Sequence, residues 1–167
     1  MNVRTMTHAA LMASLLAVCA WISIPISPIS FTLQTFGVLT ALGVLGGKAG
    51  ALSILLYLAM GAAGLPVFSG FQGGAAVMAG PTGGFLWGFM LGALAYWAAE
   101  KLGRLPAMVL CQLICYLCGT LWFSHWAGTT LTTALLTAVV PYLLPDAMKL
   151  WLAMLVSRRF QKIRIKM

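Results

Sequence analysis

Two ionisable side chains stand three residues apart in an apolar run near the end of the sequence, PYLLPDAMKLWLAML over residues 141–155. Asp146 is one of only two acids in the chain, and Lys149 follows it by about one helical turn. A spacing of i, i+3 puts both on one helix face. One account is structural: an acid is favoured at a helix start by the dipole and the free N–H groups, and the lysine neutralises it. The other is functional. A lysine inside a spanning helix costs about 2.5–3.5 kcal/mol at mid-bilayer on insertion scales, less near the ends, and ionisable residues in such helices face cavities. An ammonium holds a carboxylate, and an aspartate accepts N–H donors. A pocket built on this pair suits a small, mostly apolar anion with an amide or urea-like end. Tyr142, Trp151, Trp87 and Phe68 are residues of the kind that wall such a body, and equally the kind that pack or sit at a membrane interface.

Three further stretches bear on the same pocket. Residues 64–89, GLPVFSGFQGGAAVMAGPTGGFLWGF, hold eight glycines, two prolines and no charge. Gly80-Pro81-Thr82-Gly83-Gly84 reads as a helix start with proline near the first turn. Irregular backbone at membrane depth is tolerated only where it is buried in protein or lines a cavity, so this stretch is expected to cap an outer pocket. Thr32 and Gln34 lie where the chain enters the second apolar segment; Gln34 would donate to a ligand carbonyl or hydrogen-bond a neighbouring helix. Ala9, Ala13 and Ala17 make a ridge of small residues that permits close helix contact, either within the molecule or with another membrane protein.

The elements that must position these residues follow from composition. The chain is 62% hydrophobic and 7% charged over 167 residues, with a mean hydropathy of +0.99. Soluble domains carry about 25% charged residues, so an integral membrane protein is expected, as a single transmembrane domain over 1–167. A spanning helix needs about 20 mostly apolar residues, which gives spans at 7–26, 33–47, 49–63, 84–102, 105–124 and 145–161. Gly46 and Gly47 with Lys48 divide the second from the third. Residues 128–140 are too short to cross and are expected as a helix on the outer face that folds back into the last span, with Pro141 and Pro145 beyond it. Arg4, Lys48, Lys101, Arg104, Arg158, Arg159, Lys162, Arg164 and Lys166 all fall on one side of a six-span arrangement, as does Glu100, while the connections 27–32, 64–83 and 125–144 carry no charge. The positive-inside rule makes the charged side, with both termini, cytoplasmic. That topology accounts for the net charge of +8 without a nucleic-acid partner.

Other chemistry finds little support. Cys111, Cys115 and Cys118 lie inside LPAMVLCQLICYLCGTLWF with no histidine or fourth cysteine at zinc-ligand spacing, and they read as small packing residues; no metal and no cofactor is expected. There is no phosphate-binding G-x-x-x-x-G-K-[ST] and no nucleophile in G-x-S-x-G, so an enzyme is not expected. Uphill transport would draw its energy from a partner or an ion gradient, and proton coupling through Asp146 would lack further intramembrane acids.

FTLQTFGVL, GGKAGALSILLYLAMGAAGLPVFSG, GPTGGFLWGF and LPDAMKLWLA, in this order, resemble the BioY family, the biotin-binding substrate components of energy-coupling factor transporters. The resemblance runs over most of the chain and is weakest in 103–140. It implies six helices, an outward-facing biotin pocket in a bacterial cytoplasmic membrane, and docking onto a transmembrane coupling subunit that bears two ATPases, with the Ala9–Ala13–Ala17 ridge as the docking face. It implies ligand binding by Asp146 and Lys149. Lys149 would meet the valerate carboxylate and Asp146 the ureido N–H groups, the alternative being both residues near one end of the ligand. Relatives carry an Asn after GLPVF where this chain has Gln72-Gly73-Gly74, so Gln72 stands in for it in the lid. Other expectations are a substrate component for another small vitamin or a biotin precursor, or a membrane scaffold whose polar pair is structural.

Overall fold

Apolar side chains recur on every side of the helices, and in the folded chain they divide between an inner and an outer set. Leu16, Leu39, Leu42, Ile54, Tyr57, Phe89, Tyr96 and Met108 are buried among the helices, while Leu11, Leu15, Leu91, Leu113, Leu117, Met148, Trp151 and Leu152 are exposed. A helix that is hydrophobic all round is buried in protein or lipid, and here the outer coat faces lipid. The computed structural model describes residues 3–25 and 29–166, with side chains to Phe160.

The helices are α1 (Val3–Trp21), α2 (Gln34–Leu45), α3 (Gly47–Ala62), α4 (Ala75–Ala79), α5 (Gly83–Ala99), α6 (Arg104–Ala127), α7 (Leu131–Ala138) and α8 (Leu143–Lys166). Single 3-10 turns occupy Ser69–Phe71, Glu100–Leu102 and Val140–Tyr142. The runs Val3–Trp21, Arg104–Ala127 and Leu131–Phe160 are long and apolar enough to cross a membrane, and α2 and α3 are shorter apolar helices. With α5, these form an all-α bundle in which α1 packs on α2 and α3, α3 on α5, α5 on α6, and α2 on α8. The expected six spans correspond to α1, α2, α3, α5, α6 and α8. The first helix starts and ends earlier than expected, at Trp21; Ile26, the last residue of the expected span, lies outside the described residues.

Glycine permits the close approach of α5 and α6. Gly88 and Gly92 on α5 lie so near α6 that a Cβ at Gly88 would be 2.9 Å from Cys115 Cα, and one at Gly92 would be 2.8 Å from the Cys111 carbonyl oxygen. Cys111, Cys115 and Cys118 are therefore the small side of a helix–helix seam, as their setting in an apolar run suggested, and they are free thiols. At the charged end, Gly46 has φ +85° and turns the chain between α2 and α3. The second acid acts here: Glu100 Oε2 accepts the backbone N–H of Gly47 at 2.7 Å. A carboxylate at the first turn of α3 meets the positive end of its dipole, and this one ties the α2–α3 turn to the end of α5.

Two features were not expected. Ser23–Ile24 and Phe31–Thr32 pair as a small antiparallel hairpin between α1 and α2, too short to show a strand period. Helix α8 begins at Leu143, two residues before the expected start of the span at 145, so Pro145 is its third residue rather than its first. The first four N–H groups of a helix have no partner within it, and a proline there forfeits no bond. Helix α7 lies within 128–140, where a short helix was expected, capped by Thr130, whose Oγ1 accepts the Thr133 N–H at 3.3 Å.

Candidate functional site

A partly open cavity of about 950 Å³ lies between α2, α5, α6, α8, the hairpin and the glycine-rich loop. Counting the helical rise of 1.5 Å per residue from the basic ends locates its inner residues. Gln34 is about 17 Å up α2 from Leu45, Asp146 about 18 Å up α8 from Arg158, and Gln112 and Tyr116 about 12 and 18 Å up α6 from Arg104. Against a hydrocarbon core of about 30 Å, these residues form a polar floor near mid-depth. The short α2 and the late start of α8 are what bring helix N-terminal residues so far in.

The floor has two polar clusters. In the first, Lys149 Nζ donates to Asp146 Oδ1 at 2.8 Å. Asp146 Oδ2 accepts the Tyr116 hydroxyl at 2.8 Å and Gln112 Nε2 at 3.3 Å. Lys149 Nζ also lies 3.9 Å from the centre of the Phe31 ring, a cation–π contact. Both charged residues are buried, Asp146 at 6% and Lys149 at 5% exposure. Their charges cancel, so the floor carries no net charge, and Lys149 keeps N–H donors that Asp146 does not use.

The second cluster is built on α2 and α3. Gln34 Nε2 donates to the Tyr57 hydroxyl at 2.6 Å, and that hydroxyl donates to the Val67 carbonyl at 3.1 Å. A tyrosine hydroxyl has one proton; spending it on Val67 obliges Gln34 to present its NH₂ to Tyr57. The Gln34 carbonyl oxygen is left as an acceptor on the cavity wall. Gln34 thus takes the second of the two roles foreseen for it, bonding a neighbouring helix, and with that donor used it turns an acceptor to the cavity it lines rather than the expected donor. Thr32 Oγ1 accepts the Gln34 N–H at 3.2 Å, satisfying a free donor at the start of α2.

The outer wall is fastened by ring contacts and backbone bonds. Phe31 stacks on Tyr142, with centroids 6.4 Å apart and planes at 11°, and the Tyr142 hydroxyl donates to the Ile29 carbonyl. Phe68 lies edge-on to Tyr57 at 5.5 Å. In the glycine-rich loop, the Phe68 N–H donates to the Gln72 carbonyl at 2.9 Å, and the Gly74 N–H to the Gly61 carbonyl at 2.7 Å. Trp122 Nε1 donates to the Gly80 carbonyl at 2.9 Å, and Trp21 Nε1 to the Pro66 carbonyl at 2.8 Å.

Asp146, Lys149, Gln34, Thr32, Gln72, Gly73, Tyr142 and Phe68 all line the cavity. Trp87 does not. It is 47% exposed and borders a shallow outer groove with Trp122 and His125, because the α5 face that carries it is turned away from the cavity-lining Leu86 and Phe89. Trp151 likewise faces outward. Ala9, Ala13 and Ala17, expected as a docking face, are 0%, 1% and 5% exposed. In the isolated chain the ridge is turned into the bundle, where α1 packs against α2 and α3. Gln112 and Tyr116 were missed. They sit in the cysteine-bearing run that reads as a plain lipid-spanning helix, and a glutamine followed four residues later by a tyrosine was the available signal. Among the described residues, no three His, Cys, Asp or Glu side chains are grouped to hold a metal ion.

Comparison with known proteins places this geometry among relatives. The model of the BioY family matches residues 1–166. The biotin transporter BioY of Thermotoga maritima is 39% identical over 98% of this chain and 99% of its own length. A probable biotin transporter BioY of Pyrococcus horikoshii is 37% identical over 96% of this chain and 98% of its own. A crystal structure of the S-component for biotin from an ECF-type ABC transporter superposes with a TM-score of 0.85 at 28% identity, covering 97% of this chain and 91% of that one.

Proposed function

This chain belongs to the BioY family, and from that premise we propose that it captures biotin as the substrate-binding component of an energy-coupling factor transporter. It works in a bacterial cytoplasmic membrane, with biotin entering from the outer face. A transmembrane coupling subunit carrying two ATPases supplies the energy, since this chain has no nucleotide-binding loop of its own.

The observation that carries the reading is the floor of the cavity. Asp146 and Lys149 set an acceptor and a donor side by side, 2.8 Å apart, and a cyclic urea presents the complementary N–H and C=O at similar separation. Charge balance decides which end of biotin goes down. Lys149 is already neutralised by Asp146, so a carboxylate at the floor would leave one net negative charge near mid-membrane, whereas the neutral ureido ring adds none. A buried charge without a partner is far costlier than a buried polar group whose hydrogen bonds are made. Both charged residues therefore read the ureido ring, and Gln34 offers a further acceptor for its N–H groups. The apolar ring edge and tail lie against Phe68, Leu86 and Phe89, with the valerate pointing outward past the hairpin and the loop bearing Gln72 and Gly73.

Labelled biotin binding to the purified protein tests this. Lys149→Ala is expected to weaken binding by about a hundredfold, the worth of a charged hydrogen bond and the pairing it supports, while Lys48→Ala, at the exposed α2–α3 turn, leaves it unchanged. Equal effects of the two substitutions would refute the site.

A further inference from the structure

The cavity carries charge at one depth only. Asp146 and Lys149 are the charged residues among those lining it. The sequence offers no other to its outer end, because 27–32, 64–83 and 125–144 contain no Lys, Arg, Asp or Glu. That end is built from the hydroxyls of Ser23, Ser30 and Ser69 beside Pro25 and Gly70. A carboxylate pointing there stays hydrated and meets no protein cation, so its charge adds little to binding.

We infer that the protein selects its ligand by the uncharged ureido ring and does not require the free carboxylate, so that neutral esters and amides of biotin, including conjugates through the tail, are ligands of the same site. This rests on the biotin reading above and extends it to a wider substrate class. Space permits it. A cavity of about 950 Å³ stands near the top of the ~300–1,000 Å³ range of small-molecule pockets, and its partly open outer end leaves room for a substituent on the tail. Selectivity falls instead on the ring. A buried site that hydrogen-bonds its ligand rejects analogues that leave its polar groups unpaired, whereas a substituent in open space meets no such penalty.

The test is displacement of labelled biotin from the purified full-length protein by four competitors: biotin, its methyl ester, its amide with a short alkylamine, and the 2-imino analogue, in which the ureido oxygen is replaced by a cationic imino group. The ester and amide are expected to compete within about tenfold of biotin, the worth of one ordinary hydrogen bond. The imino analogue is expected to be weaker by about a hundredfold or more. An ester and amide each a hundredfold weaker than the acid, with biotin bound, would overturn the inference and leave the biotin reading standing. Failure of biotin itself to bind would overturn the biotin reading. A second arm uses Ser69→Lys, which adds a cation at the outer end. It is expected to raise the preference for acid over ester about tenfold, a modest partly exposed ion-pair effect. An unchanged ratio in a variant that still binds biotin would mean that the carboxylate lies elsewhere, and would equally overturn the inference.

Discussion

Replacing Asp146 by Asn removes one charge and almost no volume, and its main effect falls on Lys149. The ammonium is 2.8 Å from the carboxylate and 5% exposed, so the substitution leaves a buried cation near mid-membrane whose remaining stabilisation is the Phe31 ring. Removing one partner of a buried ion pair costs about 3–5 kcal/mol, and a lone lysine at the centre of a spanning helix about 2.5–3.5 kcal/mol on insertion scales. The two estimates overlap near 3 kcal/mol. The lower end applies because Lys149 borders a cavity that admits water, and because Tyr116 and Gln112 still find the Asn oxygen. Lys149→Met alone leaves the converse fault, an unpaired carboxylate, softened by its bonds from Tyr116 and Gln112. The double substitution Asp146→Asn with Lys149→Met cancels both faults and is expected to return to within about 1 kcal/mol of the parent, as neutral replacement of buried pairs often does. Coupling between the two sites is then at least about 2 kcal/mol, larger by whatever Lys149→Met costs alone, toward the upper end for contacting residues.

Thermal unfolding in one detergent, without ligand, measures the first part of this cycle, and binding of labelled biotin measures the second. All three variants are expected to lose about tenfold to a hundredfold in affinity, since each removes at least one charge-assisted bond worth about 1.5–3 kcal/mol. Stability and binding therefore part company in the double variant: stable, and unable to hold the ligand. Additive destabilisation in the double variant would refute the coupling drawn from the geometry. Parental affinity in the double variant would refute the role of the pair in binding and favour a structural pair in a membrane scaffold.

Tyr116→Phe removes one of the two donors on Asp146 Oδ2 and is expected to weaken biotin binding about fivefold to tenfold, the worth of a bond to a charged group partly replaced by Gln112; Trp87→Ala, outside the cavity, is expected to leave the same titration unchanged. Gly88→Leu forces a side chain against the Cys115 backbone on α6 and is expected to lower stability by about 3 kcal/mol or more, at the severe end of overpacking, read as a fall in melting temperature and in yield of folded protein. Glu100→Gln weakens the acceptor for the Gly47 N–H and is expected to cost about 0.5–1 kcal/mol, as for a charge lost at a helix N-terminus. Its signature is faster amide exchange at the start of α3, with biotin affinity unchanged.

The spans were legible because membrane crossing imposes length and apolarity on contiguous sequence, and the charge-free connections between them pointed to six. Gly46-Gly47-Lys48 announced the α2–α3 turn by chemistry local to three residues. The hairpin at Ser23–Thr32 was not legible: its strands are two residues long, and what holds Phe31 against Tyr142 is a partner more than a hundred residues away. The start of α8 was misplaced for a related reason. Pro145 marks a boundary only when its N–H would have been used, and in the first turn it would not.

The Asp146–Lys149 pair stood out because its cost in lipid is large and visible in one helix, but what surrounds it depends on depth. Gln34 stood out only as a polar residue entering its short segment, and Gln112 did not stand out at all. They meet the cavity because α2 is only 12 residues long and α8 starts late, so that side chains from helix starts on α2 and α8 reach the level of mid-helix residues on α3 and α6. The alanine ridge on α1 shows the opposite failure. Ala9, Ala13 and Ala17 carry a pattern that permits close contact with any helix, and the pattern cannot name which one; in the folded chain, α2 and α3 take it. The same distinction governs the ligand. The pair fixes what chemistry the site can perform, whereas the depth at which the helices place it, with an uncharged outer wall above, determines which end of the ligand that chemistry meets.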